Sequence, residues 1–196
     1  MTEKKVALNR RMGPAGSDIW HAMLDGGEDI LCQEGHAALT SRRIAERVGV
    51  KQRLVYYYFH TMDDLIVAMF RRSSQRDLNR LEEASRSEAP LRELWEICFH
   101  STDAQLISEY MALANRLPEL RTEVICFIEQ SRAIQVRAIC HAIERRPGKS
   151  LIPAPAVAMM AASIGLSLNR EEQLGVRSGH AETFAVLDAF LDGLES

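Results

Sequence analysis

Helix-breaking residues are missing from long stretches of this chain. Among its 196 residues, no proline lies between Pro14 and Pro90 and no glycine between Gly49 and Gly148. Helices tolerate that absence and turn-rich sheets do not. Alternating strand-like patterns are also missing, so the fold class is read as all-α. The longest nearly uncharged stretch, Leu151 to Leu168, is interrupted by Pro153, Pro155, Ser163 and Ser167. A spanning helix needs about 20 apolar residues, so no membrane partner is expected. The basic N-terminus MTEKKVALNRRMG has no apolar segment and does not read as a secretory signal. The four cysteines (Cys32, Cys98, Cys126, Cys140) include no CxxC, and free thiols in a reducing cytoplasm are expected.

Catalytic signatures are missing too. The sequence holds no nucleophile elbow, no glycine-rich phosphate loop and no HExxH. The six histidines show no ligand spacing, and Cys98-x-His100 and Cys140-His141 are too short for a zinc site. Glu82-Glu83 and Glu171-Glu172 read as exposed charge. The expectation is a protein that is not an enzyme and has no cofactor or metal. Apolar residues make up 46% and charged residues 26%, enough for one or two globular domains with a sizeable core.

Charge is unevenly placed. Residues 1–80 carry thirteen Lys/Arg against ten Asp/Glu, whereas residues 81–196 carry eleven against seventeen. Within His36–His60 there are five Lys/Arg and one Glu. A basic patch on an acidic chain points to an anionic partner for one half only.

The apolar spacing predicts a basic arm over 1–16 and then a succession of helices. The first spans Ser17–Glu34, with Ile19, Trp20, Met23, Leu24, Gly27, Ile30 and Leu31 on one face and Gly35 as the stop. The second spans Ser41–Val48, capped by Thr40 or Ser41 and ended by Gly49. A short third runs from about Lys51 to Phe59. The fourth covers Met62–Ala84 behind Thr61, with Asp63 and Asp64 suiting its positive end. Beyond Pro90 the expected helices are Leu91–Ser101, Asp103–Arg116 with a Thr102…Gln105 capping box, and a long one from Pro118 to Glu144 closed by Arg145, Arg146, Pro147 and Gly148. The last two are Pro155–Leu168 and Gly179–Leu194.

The informative stretch is LTSRRIAERVGVKQRLVYYYF, Leu39–Phe59. Ile44, Val48, Val50 and Val55 are apolar where two crossing helices bury each other. Ala45 is small where they touch, and Gly49 supplies the positive φ of a tight turn. The third helix then exposes Lys51, Gln52, Arg53, Tyr56 and Tyr57. Gln can pair bidentately with an adenine edge and Arg with guanine, while Tyr hydroxyls and helix N-termini hold phosphates. Tyr58 and Phe59 read as core, and Tyr57 fits either role. Arg43 and Arg47 fit equally well as solvated helix charges.

These residues resemble the N-terminal DNA-binding domain of the TetR family of bacterial transcription regulators. The resemblance covers about Met23–Leu65. It rests on Met23-Leu24 and Ile30-Leu31 before Gly35, on Leu39-Thr40-Ser41-Arg42-Arg43-Ile44-Ala45 before Gly49-Val50, and on Val55-Tyr56-Tyr57-Tyr58-Phe59 before Leu65. It implies a helix-turn-helix domain over 17–61, a connecting helix over 62–84, and a helical ligand-binding and dimerisation domain over 85–196. It implies DNA contacts by Thr40, Ser41, Arg42, Lys51, Gln52, Arg53, Tyr56, Tyr57 and His60, with Tyr56 on phosphate and Gln52 reading a base. Three positions depart from the family pattern. Met62 stands where a phosphate-contacting Lys is usual, with His60 as its candidate replacement. Gly26-Gly27 replaces the usual Ala-Ala, and Arg53 and Leu54 are larger than the residues usual there.

The resemblance further implies a homodimer in the cytoplasm that binds double-stranded operator DNA and a small-molecule effector, usually as a repressor released by that effector. Candidate dimer residues are Val157, Met160, Ala161 and Ile164 on one helix and Phe184, Leu187, Leu191 and Leu194 on the next. Their alternative is to complete the monomer core. Candidate effector contacts are Trp95, Phe99, Met111, Phe127 and Met159, again with ordinary core as the alternative. The scarcity of candidate buried charge points to an apolar or aromatic effector. Rival readings are an architectural DNA-binding protein or activator without an effector, and an all-α enzyme or carrier.

Overall fold

A computed structural model describes residues 16–99, 104–144 and 152–195. Nine α-helices occur among the described residues: α1 Asp18–Glu34, α2 Ser41–Val48, α3 Gln52–Tyr58, α4 Met62–Ala84, α5 Pro90–Phe99, α6 Ala104–Ala114, α7 Pro118–Glu144, α8 Ala154–Gln173 and α9 His180–Glu195. No strand occurs among them, and the chain is all-α. The expected arm over 1–16, except Gly16, lies outside the described residues. So do Thr102 of the expected capping box, the side chain of Gln105, and the Arg145–Gly148 stop.

Local chemistry explains the helix ends. Ser17 Oγ accepts the Trp20 N–H and opens α1, and Gly35 at φ 78° closes it. Thr40 Oγ1 accepts the Arg43 N–H at 3.2 Å and opens α2. Gly49, at φ 75° and ψ 30°, ends α2 by giving its N–H to the Ala45 carbonyl, a left-handed conformation that costs glycine nothing. Thr61 and Asp64 cap α4 reciprocally, the Asp64 N–H reaching Thr61 Oγ1 at 3.0 Å and the Thr61 N–H reaching Asp64 Oδ2 at 2.9 Å. α8 runs five residues past the expected end at Leu168, to Gln173. The apolar stripe stops at Leu168, but Asn169-Arg170-Glu171-Glu172 stay helical on the surface until Gly175, at φ 79°, reverses the chain.

The described residues divide into two compact units. The first holds the chain up to Ser73 together with Gln105–Val124; the second holds Ser74–Ala104 and the chain from Ile125 onward. Gln105–Val124 therefore belongs with the head of the chain although it lies downstream of residue 85. The core of the first unit is made by Met23, Leu24, Ile30, Leu31, Ile44, Leu65 and Met69, all fully buried. Phe70 meets Tyr110 edge to face at 5.1 Å in the same unit. Gly26 and Gly27 sit at close crossings. A Cβ on Gly27 would stand 2.6 Å from Met69 Sδ, and one on Gly26 would stand 3.2 Å from Val48 Cγ2. The departure from Ala-Ala thus goes with close packing. Ile19, expected on the buried face of α1, is 41% exposed.

In the second unit α5 packs against α8 and α9. Trp95 stacks on Phe99 at 6.0 Å, and Phe99 meets Phe184 edge to face at 4.8 Å. Gly165 lets α8 approach the backbone of α5, its Cβ position being 3.4 Å from the Cys98 carbonyl oxygen. Asn169 Nδ2 donates to the Phe99 carbonyl at 2.7 Å, satisfying an otherwise open helix end. Arg92 joins α5 to α9 through Asp188 at 3.0 Å and Asp192 at 2.7 Å.

Candidate DNA-binding face and apolar cavity

The segment from α2 to α3 orients the predicted contact residues. Val55 and Tyr58 are buried, so α3 is fixed on that side. Tyr58 Oη accepts from Ser17 Oγ at 3.3 Å, and Phe59 stacks on Trp20 at 6.2 Å, which ties the third helix to the start of α1. The opposite side is left open. Lys51, Gln52 and Arg53 are exposed, as are Tyr56 and Tyr57, and His60 follows in the loop.

One buried hydroxyl connects two of these side chains. Ser41, only 4% accessible, accepts a hydrogen bond from Gln52 Nε2 at 2.9 Å and donates one to Tyr56 Oη at 3.0 Å. The candidate base reader and the candidate phosphate contact therefore share one anchor at the first turn of α2. Sequence reading placed Ser41 among the DNA contacts but did not reveal this bridging position.

The arginines are less free than their solvated appearance implied. Arg42 pairs with Glu46 one turn along at 2.9 Å, an exposed pair that can open at little cost. Arg43 and Arg47 both reach Glu34 at 2.8 Å and fasten α2 to the end of α1. The Arg43 hydrogen bond, together with the charges of Arg43 and Arg47, outweighs desolvation and holds the Glu34 carboxyl below its ordinary value of 4.5. Arg72 of α4 does the same for the other side of α1, meeting Asp25 at 2.7 Å, Glu28 at 2.9 Å and the His21 carbonyl at 3.1 Å. Neither clamp follows from a local sequence pattern, because the partners lie 9 to 51 residues apart.

The head thus presents a buried three-helix core, a left-handed glycine turn, and a short exposed helix carrying Lys, Gln, Arg and Tyr. Residues 23–69 match the sequence profile of the bacterial regulatory proteins of the tetR family. Over this span the chain carries the DNA-binding signature of the TetR family. The match takes in α2, α3 and most of α1. Among curated relatives, the Fatty acid metabolism regulator protein of Bacillus subtilis (strain 168) is 22% identical over 71 residues, which is 36% of this chain and 37% of that protein. The alignment therefore spans little more than a third of the relative's length. A TetR transcription regulator from Haloarcula marismortui ATCC 43049 superposes with a TM-score of 0.73 at 21% identity, covering 89% of this chain and 96% of that one. A transcriptional regulator from Saccharomonospora viridis, solved in complex with choline, superposes with a TM-score of 0.74 at 13% identity, covering 81% and 87%. At these identities the two structures show a shared TetR fold.

The second unit contains a cavity of about 280 Å³ between α5, α7, α8 and α9. Its walls include Leu94, Trp95, Cys98, Gln135, Ala158 and Ile164. Of the five candidate effector contacts, Trp95 lines it. Phe99 is buried beside it in the core, Phe127 is partly buried against that core, and Met159 stands 50% exposed on α8. Met111 belongs to the first unit.

The candidate dimer residues also divide. Val157 and Leu191 are buried in the unit's own core, while Ala161, Ile164, Phe184 and Leu187 are partly buried against it. Met160 is 46% exposed, and the side chain of Leu194 lies outside the described residues. The exposed apolar side chains on these two helices are Met159, Met160, Leu166, Val186 and Phe190. Among the described residues no helix is long and apolar enough to cross a membrane.

Proposed function

We propose that this TetR-family regulator acts as a homodimer that represses transcription by binding double-stranded operator DNA through α3, and that an apolar or aromatic effector in the second unit releases it. The observation that carries the DNA-binding reading is the exposed row Lys51, Gln52, Arg53 and Tyr56 on a helix whose other side is fixed by Val55 and Tyr58. Gln52 reads a base edge; Tyr56, Arg42, Lys51 and His60 meet phosphates; Thr40, Ser41, Arg53 and Tyr57 complete the surface. A two-fold operator needs two recognition helices about 34 Å apart, which supports a dimer. Its interface draws on the exposed Met159, Met160, Leu166, Val186 and Phe190 of α8 and α9 rather than on the buried Val157 and Leu191, and Met160, Val186 and Phe190 also line the mouth of the cavity. α4 runs without a break from the first unit into the second, a continuous element through which effector binding shifts the population of DNA-competent heads. The regulator solved with choline supports the effector part only at the level of a ligand in this fold. The cavity of the present chain shows no carboxylate among its described lining residues, which leaves a cation only the aromatic faces of Trp95 and Phe190.

The test is fluorescence anisotropy with DNA from upstream of the chain's own gene against scrambled DNA, at several salt concentrations. Selective binding with a steep salt slope is the expected result. Gln52→Ala costs about 1–3 kcal/mol at one base pair and leaves scrambled DNA unaffected. Tyr56→Phe weakens both DNAs alike, by about 1 kcal/mol. Absence of binding to any duplex at low salt overturns the proposal, and equal binding to both DNAs favours an architectural role.

A further inference from the structure

The cavity of the second unit has walls of unusual chemical uniformity. No Asp, Glu, Lys, Arg or His occurs among its described lining residues. Apart from the Met160 thioether, three lining side chains carry a polar atom: Trp95, Cys98 and Gln135. Trp95 offers only a donor. Gln135 gives one of its two amide N–H groups to the Cys98 sulfur at 3.4 Å, and a thiol sulfur is a weak acceptor. Burial pushes the Cys98 thiol up to about 11, so this sulfur stays a neutral thiol through the physiological range. A ligand oxygen entering beside Cys98 offers the Gln135 amide a better acceptor than it now has.

Size follows from volume. About 280 Å³ is roughly twice the ~150 Å³ of an apolar cavity that takes up benzene, which corresponds to a fused two-ring skeleton of about a dozen heavy atoms. Charge follows from the walls. Among the described lining residues a carboxylate or ammonium meets no opposite charge, and burying an unpaired charge is heavily disfavoured.

We infer that this cavity takes an uncharged, compact, two-ring-sized molecule presenting one hydrogen-bond acceptor, a ketone or ether oxygen, to Gln135. This names the effector class of the site and rests on the effector reading above for its regulatory meaning, while occupancy can be measured without DNA.

The chain has two tryptophans, so Trp20→Phe in the full-length protein leaves Trp95 as the single fluorophore. The probes are 2-decalone, decalin and the decalin carboxylate. The expected result is a saturable change in Trp95 emission with 2-decalone and none with the carboxylate. Gln135→Leu weakens 2-decalone about five- to tenfold, the loss of one hydrogen bond, and leaves decalin unchanged. Should Gln135→Leu not fold, Gln135→Met keeps the chain length, removes the donor and carries the same comparison. A carboxylate that binds as tightly as the ketone overturns the uncharged class. Equal 2-decalone affinity in the Gln135 variants overturns the acceptor contact. No saturable change with either neutral probe overturns the site. Anisotropy on labelled DNA in the same samples separates the two readings. Bound 2-decalone that leaves DNA in place overturns its role as an effector but not the ligand class, whereas DNA release without a Trp95 response overturns the assignment to this cavity.

Discussion

The DNA-facing head and the cavity of the second unit use opposite chemistry. In the head, polar groups occupy defined positions: Glu34 holds Arg43 and Arg47, Arg72 holds Asp25 and Glu28, and Ser41 holds Gln52 and Tyr56. In the cavity the described walls carry no charge, and apart from the Met160 thioether the polar lining atoms belong to Trp95, Cys98 and Gln135. The difference teaches where each activity is encoded. The head acts through what its side chains present outward, so residue identity at fixed spacing specifies it. The cavity acts through a shape that four helices line, open to solvent beside Met160, Val186 and Phe190, so no spacing along one helix specifies it.

The sharpest way to break this contrast is to move a charge from one region into the other. Ala158 is buried in the cavity wall, 1% exposed, with no opposite charge among the described lining residues. Ala158→Asp is expected to cost about 3–5 kcal/mol in chemical denaturation, the penalty of an uncompensated buried charge. The same aspartate at exposed Arg53 changes folding by less than about 0.5 kcal/mol. It nevertheless puts a negative charge towards phosphate and removes DNA binding. If the two variants lose equal stability, the contrast fails.

A smaller effect tests how closely the head is packed. Gly27→Ala gains about 1 kcal/mol of helix propensity but drives a methyl to 2.6 Å from Met69 Sδ, an overpacking worth about 1–3 kcal/mol. The expected net loss is about 1 kcal/mol, read from the denaturation midpoint. Gly26→Ala, whose Cβ meets Val48 Cγ2 at 3.2 Å, is expected to be close to neutral. A stabilised Gly27→Ala would mean that the crossing of α1 and α4 can relax.

The smallest expected effect concerns pH. The Glu34 carboxyl titrates below its ordinary value of 4.5 because of the Arg43 hydrogen bond and the Arg43 and Arg47 charges. A depressed carboxylate stabilises the fold above its unfolded value and loses that contribution as pH falls through the folded value. Glu34→Gln should therefore melt slightly below the parent chain at neutral pH, with the two Tm curves converging as pH falls through the lowered folded value. A constant gap across the acid range would show that the clamp contributes through shape rather than charge.

Much of the fold was legible because its punctuation is local. Thr40 and Gly49 bound α2, Thr61 opens α4, and Pro118 opens α7, each within one turn of the residues it serves. α8 was misjudged at its end because apolar periodicity reports the buried face, and Asn169–Gln173 continue the helix after that face has ended. The orientation of α3 was legible for a similar local reason, since Val55 and Tyr58 share its inner side. The cavity was not. Cys98 and Gln135 lie 37 residues apart on different helices, and only tertiary packing brings them within 3.4 Å. Large apolar residues were a poor guide to it, because Met159 faces solvent on α8 and Met111 belongs to the other unit.

The bond from Gln52 to Ser41 has a consequence for how such a head searches a genome. If Gln52 reads a base as proposed, the N–H it gives to Ser41 keeps its partner when the side chain passes a base pair it cannot match. The energy along random DNA is then nearly flat at this position, and the protein can slide with little friction. At the correct base pair the amide exchanges Ser41 for the base edge, so the recognition energy is the difference between two hydrogen-bonded states rather than the whole of one. On the proposed reading, Ser41 would trade some final discrimination for a faster search.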